Sequence, residues 1–169
     1  MAIHKWKFHF AACPVLLSVM LASVLFSSDN IVRGQTGPQS FDEAVHAKHK
    51  RFVEYHQTFN SFAQSGLGSD EFHVAMSLTT IASRTGDYLW SVHILLEIYG
   101  GLSCEEDRAR VRPIIERELN FYSKLIEVFV DEANLNIAHT HMPGVAAEGT
   151  RMRDDLRGVK SIFDSIKLP

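Results

Sequence analysis

From Phe41 onward, apolar residues recur at threes and fours and no segment alternates with a period of two, so the pattern predicts helices throughout. The first helix gathers Val45, Phe52, Tyr55, Phe59 and Phe62 on one face, with Lys48 the single polar intrusion. Gly66 and Gly68 break it, because glycine gives up the most backbone freedom in a helix. The second helix starts at Ser69 as N-cap, with Asp70 and Glu71 complementing the positive end of its dipole. Its seam is Ala75, Leu78, Ala82, Leu89, Val92, Leu96 and Tyr99, with Thr85 in the one polar slot. Gly86 costs about 1 kcal/mol relative to alanine there and is expected to mark a bend. Between Tyr88 and Tyr99 the helix is apolar almost all the way round, which requires a central position or a covering partner.

Ser103 and Glu106 form a Ser-x-x-Glu capping box that predicts the start of the third helix. Ile115, Leu119, Tyr122, Ile126, Phe129, Ala133 and Ile137 make its seam, and Pro113 is expected to kink it. Pro143 suits the first turn of a fourth helix, whose seam is Val145, Met152, Leu156, Val159, Phe163 and Ile166. Four such helices joined by short loops predict an all-α, up-down-up-down four-helix bundle over residues 41–169.

The segment ahead of the bundle has a different grammar. Lys5 and Lys7 precede an apolar run of 17 residues, Phe10 to Phe26, and a polar stretch follows. That order is the signature of an export signal. The run is shorter than the roughly 20 residues that span a bilayer comfortably. Pro14 and the interspersed serines favour cleavage, and Val32-Arg33-Gly34 before Gln35 fits a signal peptidase. Residues 1–34 are therefore expected to be a signal peptide or, uncleaved, a membrane anchor through residues 10–26, with residues 35–40 as a linker. The expected destination is the periplasm or the exterior, with the membrane touched only through this leader.

Charge and cysteine usage narrow the class. The chain holds 17 Lys and Arg against 20 Asp and Glu, a net charge of −3, and shows no basic stripe, which argues against a nucleic-acid partner. Cys104 is the only cysteine beyond the leader, so no disulfide can form within the bundle and stability must come from the core. No Cys-x-x-Cys-His, phosphate loop, Gly-x-Ser-x-Gly elbow or His-Glu-x-x-His is present, and no catalytic residue is assigned.

In the expected topology the first and third connections share one end, which collects His73, His139, His141 and Glu148, with His56 two turns before the end of the first helix. Imidazole and carboxylate are the ligands zinc and copper take, so a site of His139 and His141 with His73 and His56 is the sharpest chemical expectation. Against it, His73 projects away from its own seam, and a His-x-His in a loop is commonly solvated. At the other end Glu43-x-x-His46 has the spacing of a di-iron ligand pair. The motif occurs once and His46 is expected to face solvent, so a di-iron site is rejected. Trp90, Ile94 and Ile98 lie on the flank of the second helix away from its seam, and Phe121, Leu125 and Val128 give the third a second apolar strip. Such strips either pack within the bundle or, left exposed, mark self-association or a partner. The sequence thus points to an exported interaction, stress or scaffold module forming a homodimer or taking a protein partner through the second helix. The alternative is a transition-metal-binding bundle.

Overall fold

The computed structural model describes residues 38–67 and 69–169, which fall within the unit Gln35–Pro169. The expected leader, residues 1–34, and the first part of the linker lie outside the described residues. The described part is all-helical, a four-helix bundle with no strands: α1 (Pro38–Ser65), α2 (Asp70–Gly101), α3 (Glu105–His139) and α4 (Pro143–Ser165). Among the described residues no helix is long and apolar enough to cross a membrane.

The apolar seams form the core. Val45, Phe52, Tyr55 and Phe59 from α1 meet Leu78, Ala82, Leu89 and Val92 from α2, Ile115, Ile126 and Ala133 from α3, and Val145, Met152, Leu156 and Val159 from α4, all buried. Burial of a large apolar side chain is worth about 1.5–3 kcal/mol, so these layers are the main source of stability in a unit without a disulfide. The most extensive packing is α1 against α2 and α3 against α4, with smaller α2–α3 and α1–α4 interfaces and a contact of α2 with α4 across the middle.

Two polar slots in the seams are resolved in different ways. Thr85 is buried and its Oγ1 donates 2.8 Å to the Ile81 carbonyl, satisfying itself within α2. Lys48 instead reaches across to α4, where its Nζ lies 2.6 Å from Asp155 Oδ1. Tyr55 donates 2.7 Å to the other oxygen of the same carboxylate, and the Arg51 Nε stands 3.6 Å from it. Burial pushes the Asp155 carboxyl up, but the hydrogen bonds from Lys48 and Tyr55 and the adjoining positive charges outweigh it and hold the group below the usual carboxylate range. The same arrangement, burial first and the Asp155 hydrogen bond second, pushes the Tyr55 hydroxyl up to about 12. A lysine on an apolar stripe thus becomes half of a tie between α1 and α4.

Several local expectations need correction. The N-cap of α3 is Cys104, not Ser103, and no side-chain cap bond forms, so the Ser-x-x-Glu box is not used. Gly86 lies inside α2, buried and facing His49 of α1 at a distance that would admit a Cβ, and the helix does not end there. Pro113 lies inside α3, which does not end there. α1 already begins at Pro38, taking three residues from the expected linker. Ser69 does stand at the N-cap of α2, although its hydroxyl donates back to the Gly66 carbonyl.

Candidate functional site

Three regions of the bundle could carry function, and each is set by how neighbouring helices meet. The first lies where the start of α2 meets the end of α3. Glu71, in the first turn of α2, accepts 2.5 Å bonds from the Thr140 hydroxyl and from the His141 backbone amide. Those two donors, the Thr140 bond first, hold the Glu71 carboxyl below its ordinary value. Further along, Asn136 donates 2.9 Å to the Ser77 hydroxyl, which in turn donates 2.9 Å to Glu132. Phe62 at the end of α1 packs against Gly144 at the start of α4.

Beside this tie lies a hollow of about 500 Å³ bordered by Asp70, Glu71, His73, Asn136, His139 and His141. Three of the four histidines singled out as metal ligands therefore border one cavity, and His56 does not. His56 sits half-buried on α1 with its Nδ1 buried and without a hydrogen-bond partner. His139 Nδ1 lies 2.6 Å from the Leu135 carbonyl, which leaves Nε2 as its free ring nitrogen. Among the described residues, no group of three or more histidine, cysteine or carboxylate side chains is arranged to hold a metal ion.

The second region is an imidazole cluster between α1 and α2. The His46 ring lies 5.6 Å from that of His93 and 6.4 Å from that of His49, while Trp90 stands 5.4 Å from His49 and 5.1 Å from His93. His46, expected to face solvent, is half-buried instead, and its Nδ1 is buried without a hydrogen-bond partner. The wheel position on α1 was read against the α1 seam alone, whereas α2 covers that flank. Burial, and then the two neighbouring imidazoles, hold His49 below its ordinary 6.5, against the opposing pull of Asp87.

The third region is apolar and faces outward. On α2, Trp90, Ile94 and Ile98 are exposed, at 45%, 39% and 39%. On α3, Ile114, Phe121, Val128 and Leu135 are 48%, 54%, 57% and 62% exposed, and they recur at every seventh residue. Ser123 and Ile126, on the opposite side of α3, are buried. The α3 helix thus carries two apolar faces, one spent on the core and one left over. Phe121 and Val128 are legible from sequence as part of a second strip, but Ile114 and Leu135 extend it by a heptad each way, and the exact seven-residue spacing was the available signal.

Compared with family models, curated proteins and solved structures, the chain matches none of them. Function therefore rests on these three regions.

Proposed function

We propose that this chain is an exported four-helix module that works through protein contacts made on the outer faces of α2 and α3. Its leader would direct export, and its helices would run up-down-up-down. That topology is supported by Phe62 meeting Gly144, Glu71 meeting Thr140 and His141, and His46 meeting His93, each joining the end of one helix to the start of its neighbour or the start to the end. The observation that carries the reading is the heptad line Ile114, Phe121, Val128, Leu135: four large apolar side chains in water, in one line, with the core already complete without them. Scattered apolar surface residues are ordinary, whereas a line along one face is the pattern that marks a binding surface.

The test is whether the line belongs to the fold. Phe121→Ser and Val128→Ser are expected to melt within about 2 °C of the wild type, since exposed substitutions usually stay within about 0.5 kcal/mol. A fall of 10 °C or more in either variant would make the line part of the fold and remove this reading.

A second reading, a zinc- or copper-binding bundle, is favoured by the gathering of His73, His139 and His141 on one hollow. An ion there would require the side chains to turn toward each other, with Glu71 already engaged. Zinc titration of untagged protein should show stoichiometric uptake that His139→Ala with His141→Ala abolishes; uptake unaltered by those changes would eliminate this site.

A further inference from the structure

We propose that His46, His49 and His93 form an acid-sensitive latch: uncharged, they hold the start of α1, Pro38 to Ala47, against the second half of α2; charged, they release it while the rest of the bundle stays folded. The latch does not depend on what the outer faces of α2 and α3 bind.

His46 and His49 stand one turn apart on α1, and His93 comes across from α2, with ring centroids 6.4 Å and 5.6 Å from that of His46. Trp90 closes the group, 5.4 Å from His49 and 5.1 Å from His93. Neutral imidazoles packed in this way fill the helix interface as small aromatic side chains do. An exposed imidazole takes up a proton at about pH 6.5, so mild acid turns the same rings into like charges held close together.

The surrounding charges do not balance them. From α2 come two carboxylates, Asp87, which pulls on His49, and Glu97, which lies 3.9 Å from His93 Nε2; both are exposed, where water and salt screen them. On α1, Glu43 and Lys50 flank His46 one turn to either side, exposed and of opposite sign. On α4, Asp155 is already taken by Lys48, Tyr55 and Arg51. α3 meets α2 where Tyr122 stacks on Tyr88 at 4.7 Å, and Glu118 is the charge that acts on Tyr122 there. Two carboxylates against three imidazolium groups leave one positive charge over. It falls on His46, whose Nδ1 is buried without a hydrogen-bond partner.

The same end of α1 is the most weakly fastened. Among the described residues, Val45 is the only buried apolar side chain of α1 ahead of His46, whereas Phe52, Tyr55 and Phe59 anchor the helix beyond it. At Lys48 the tie to Asp155 joins α1 to α4, and that carboxyl, held below the usual range, stays charged while histidines titrate. Acid therefore loosens α1 ahead of Lys48 and leaves the remainder in place. Burial and the two neighbouring rings weaken the hold of His49 on a proton in the closed state, so the open state takes the proton up first. Opening grows as the pH falls below about 6.5 and levels off once the closed cluster is protonated too.

Thiol labelling of the full chain by a pyridyl disulfide, with Cys13→Ser and Cys104→Ser as background, compares Val45→Cys with Ala63→Cys, buried near the far end of α1. Rates are taken relative to the exposed Cys104 of the Cys13→Ser chain, which removes the pH dependence of the reagent. Between pH 7.5 and pH 5, Val45→Cys is expected to label about tenfold faster and Ala63→Cys less than about twofold faster, and His46→Gln with His93→Gln to remove the gain. Should Val45→Cys already be open at pH 7.5, amide hydrogen exchange of the unsubstituted chain, corrected for its intrinsic pH dependence, reads the same contrast between residues 38–47 and 56–65. Equal acceleration at both ends would mean that the whole bundle opens and would overturn the latch. So would acceleration unaltered by the two histidine substitutions, or none at the start of α1.

Discussion

Among the described glycines, Gly149, in the second turn of α4, has the closest neighbour. A Cβ placed there would stand 2.8 Å from Ile137 Cγ1 on α3 and 3.6 Å from Leu78 Cδ1 on α2. The first distance is a clash, and the atom met is a branch-point neighbour of a β-branched side chain, whose χ1 has little freedom to move aside. Gly149→Ala therefore sets two effects against each other. Replacing glycine in a helix interior gains about 1 kcal/mol, whereas forcing a methyl into a filled core costs about 1–3 kcal/mol. The net is a loss of about 0–2 kcal/mol. Gly86→Ala supplies the control, because it is also buried and helical, yet its Cβ would meet only His49 Cδ2 at an ordinary 3.9 Å. That variant should keep most of the helix gain. The propensity term is common to both, so their difference isolates the packing cost at about 1–3 kcal/mol. For a unit of this size 1 kcal/mol moves the melting temperature by about 3–5 °C. Differential scanning calorimetry is expected to place Gly86→Ala above the wild type and Gly149→Ala below Gly86→Ala by about 3–15 °C. Equal shifts for the two variants would refute the close approach of α4 to α3 at Gly149.

Other outcomes follow from the polar contacts. Asp155→Ala leaves Lys48 and Tyr55 without their shared acceptor at the α1–α4 interface, and urea unfolding should show a loss of about 1–3 kcal/mol, the range for charge-assisted bonds that are partly open to solvent; a loss under 0.3 kcal/mol would show the tie to be ornamental. Because the Asp155 carboxyl is held below its ordinary value, its contribution is present above the unfolded pKa and is lost as the pH falls through the folded one, so the Asp155→Ala deficit should shrink in acid. His49 works in the same sense at higher pH. Its folded pKa is lowered, so the unfolded chain takes up the proton first and stability is lost as the pH falls below about 6.5, the loss levelling off below the folded pKa. The urea midpoint is expected to drop between pH 7.5 and pH 5.5, and His49→Gln to drop less; an identical pH dependence in the variant would dismiss the imidazole cluster as its source.

The helices were legible because each seam repeats over several turns and burial of one face overrides local detail. Val45, Phe52, Tyr55 and Phe59 read as one stripe and are all buried. What the sequence concealed depended on which helix lies beside which. Lys48 on an apolar stripe announces that it needs a partner, but Asp155 is 107 residues away and becomes that partner only once α1 meets α4. His46 was misplaced for the same reason, since a wheel drawn on α1 alone does not include the flank covered by α2. The capping box failed at shorter range: Ser103 and Glu106 have the right spacing, but α3 starts one residue later than the motif requires. The topology expected from sequence already set His73 at the same end as His139 and His141, which border one hollow, but no spacing rule would have supplied Glu71 as the acceptor that joins α2 to the end of α3.

The uneven distribution of packing has a kinetic consequence. The α1–α2 and α3–α4 interfaces, each built from helices adjacent in the chain, are larger than those that join one pair to the other. Contacts between neighbours in sequence close short loops, so each pair should assemble early, in microseconds to milliseconds, and the slower event should be the docking of the two preformed halves. Refolding traces of Trp90→Ala, whose ring stands against His49 inside the first pair, and of Asp155→Ala, across the junction, should then part company: the former slowing the approach to the native state, the latter chiefly hastening its loss.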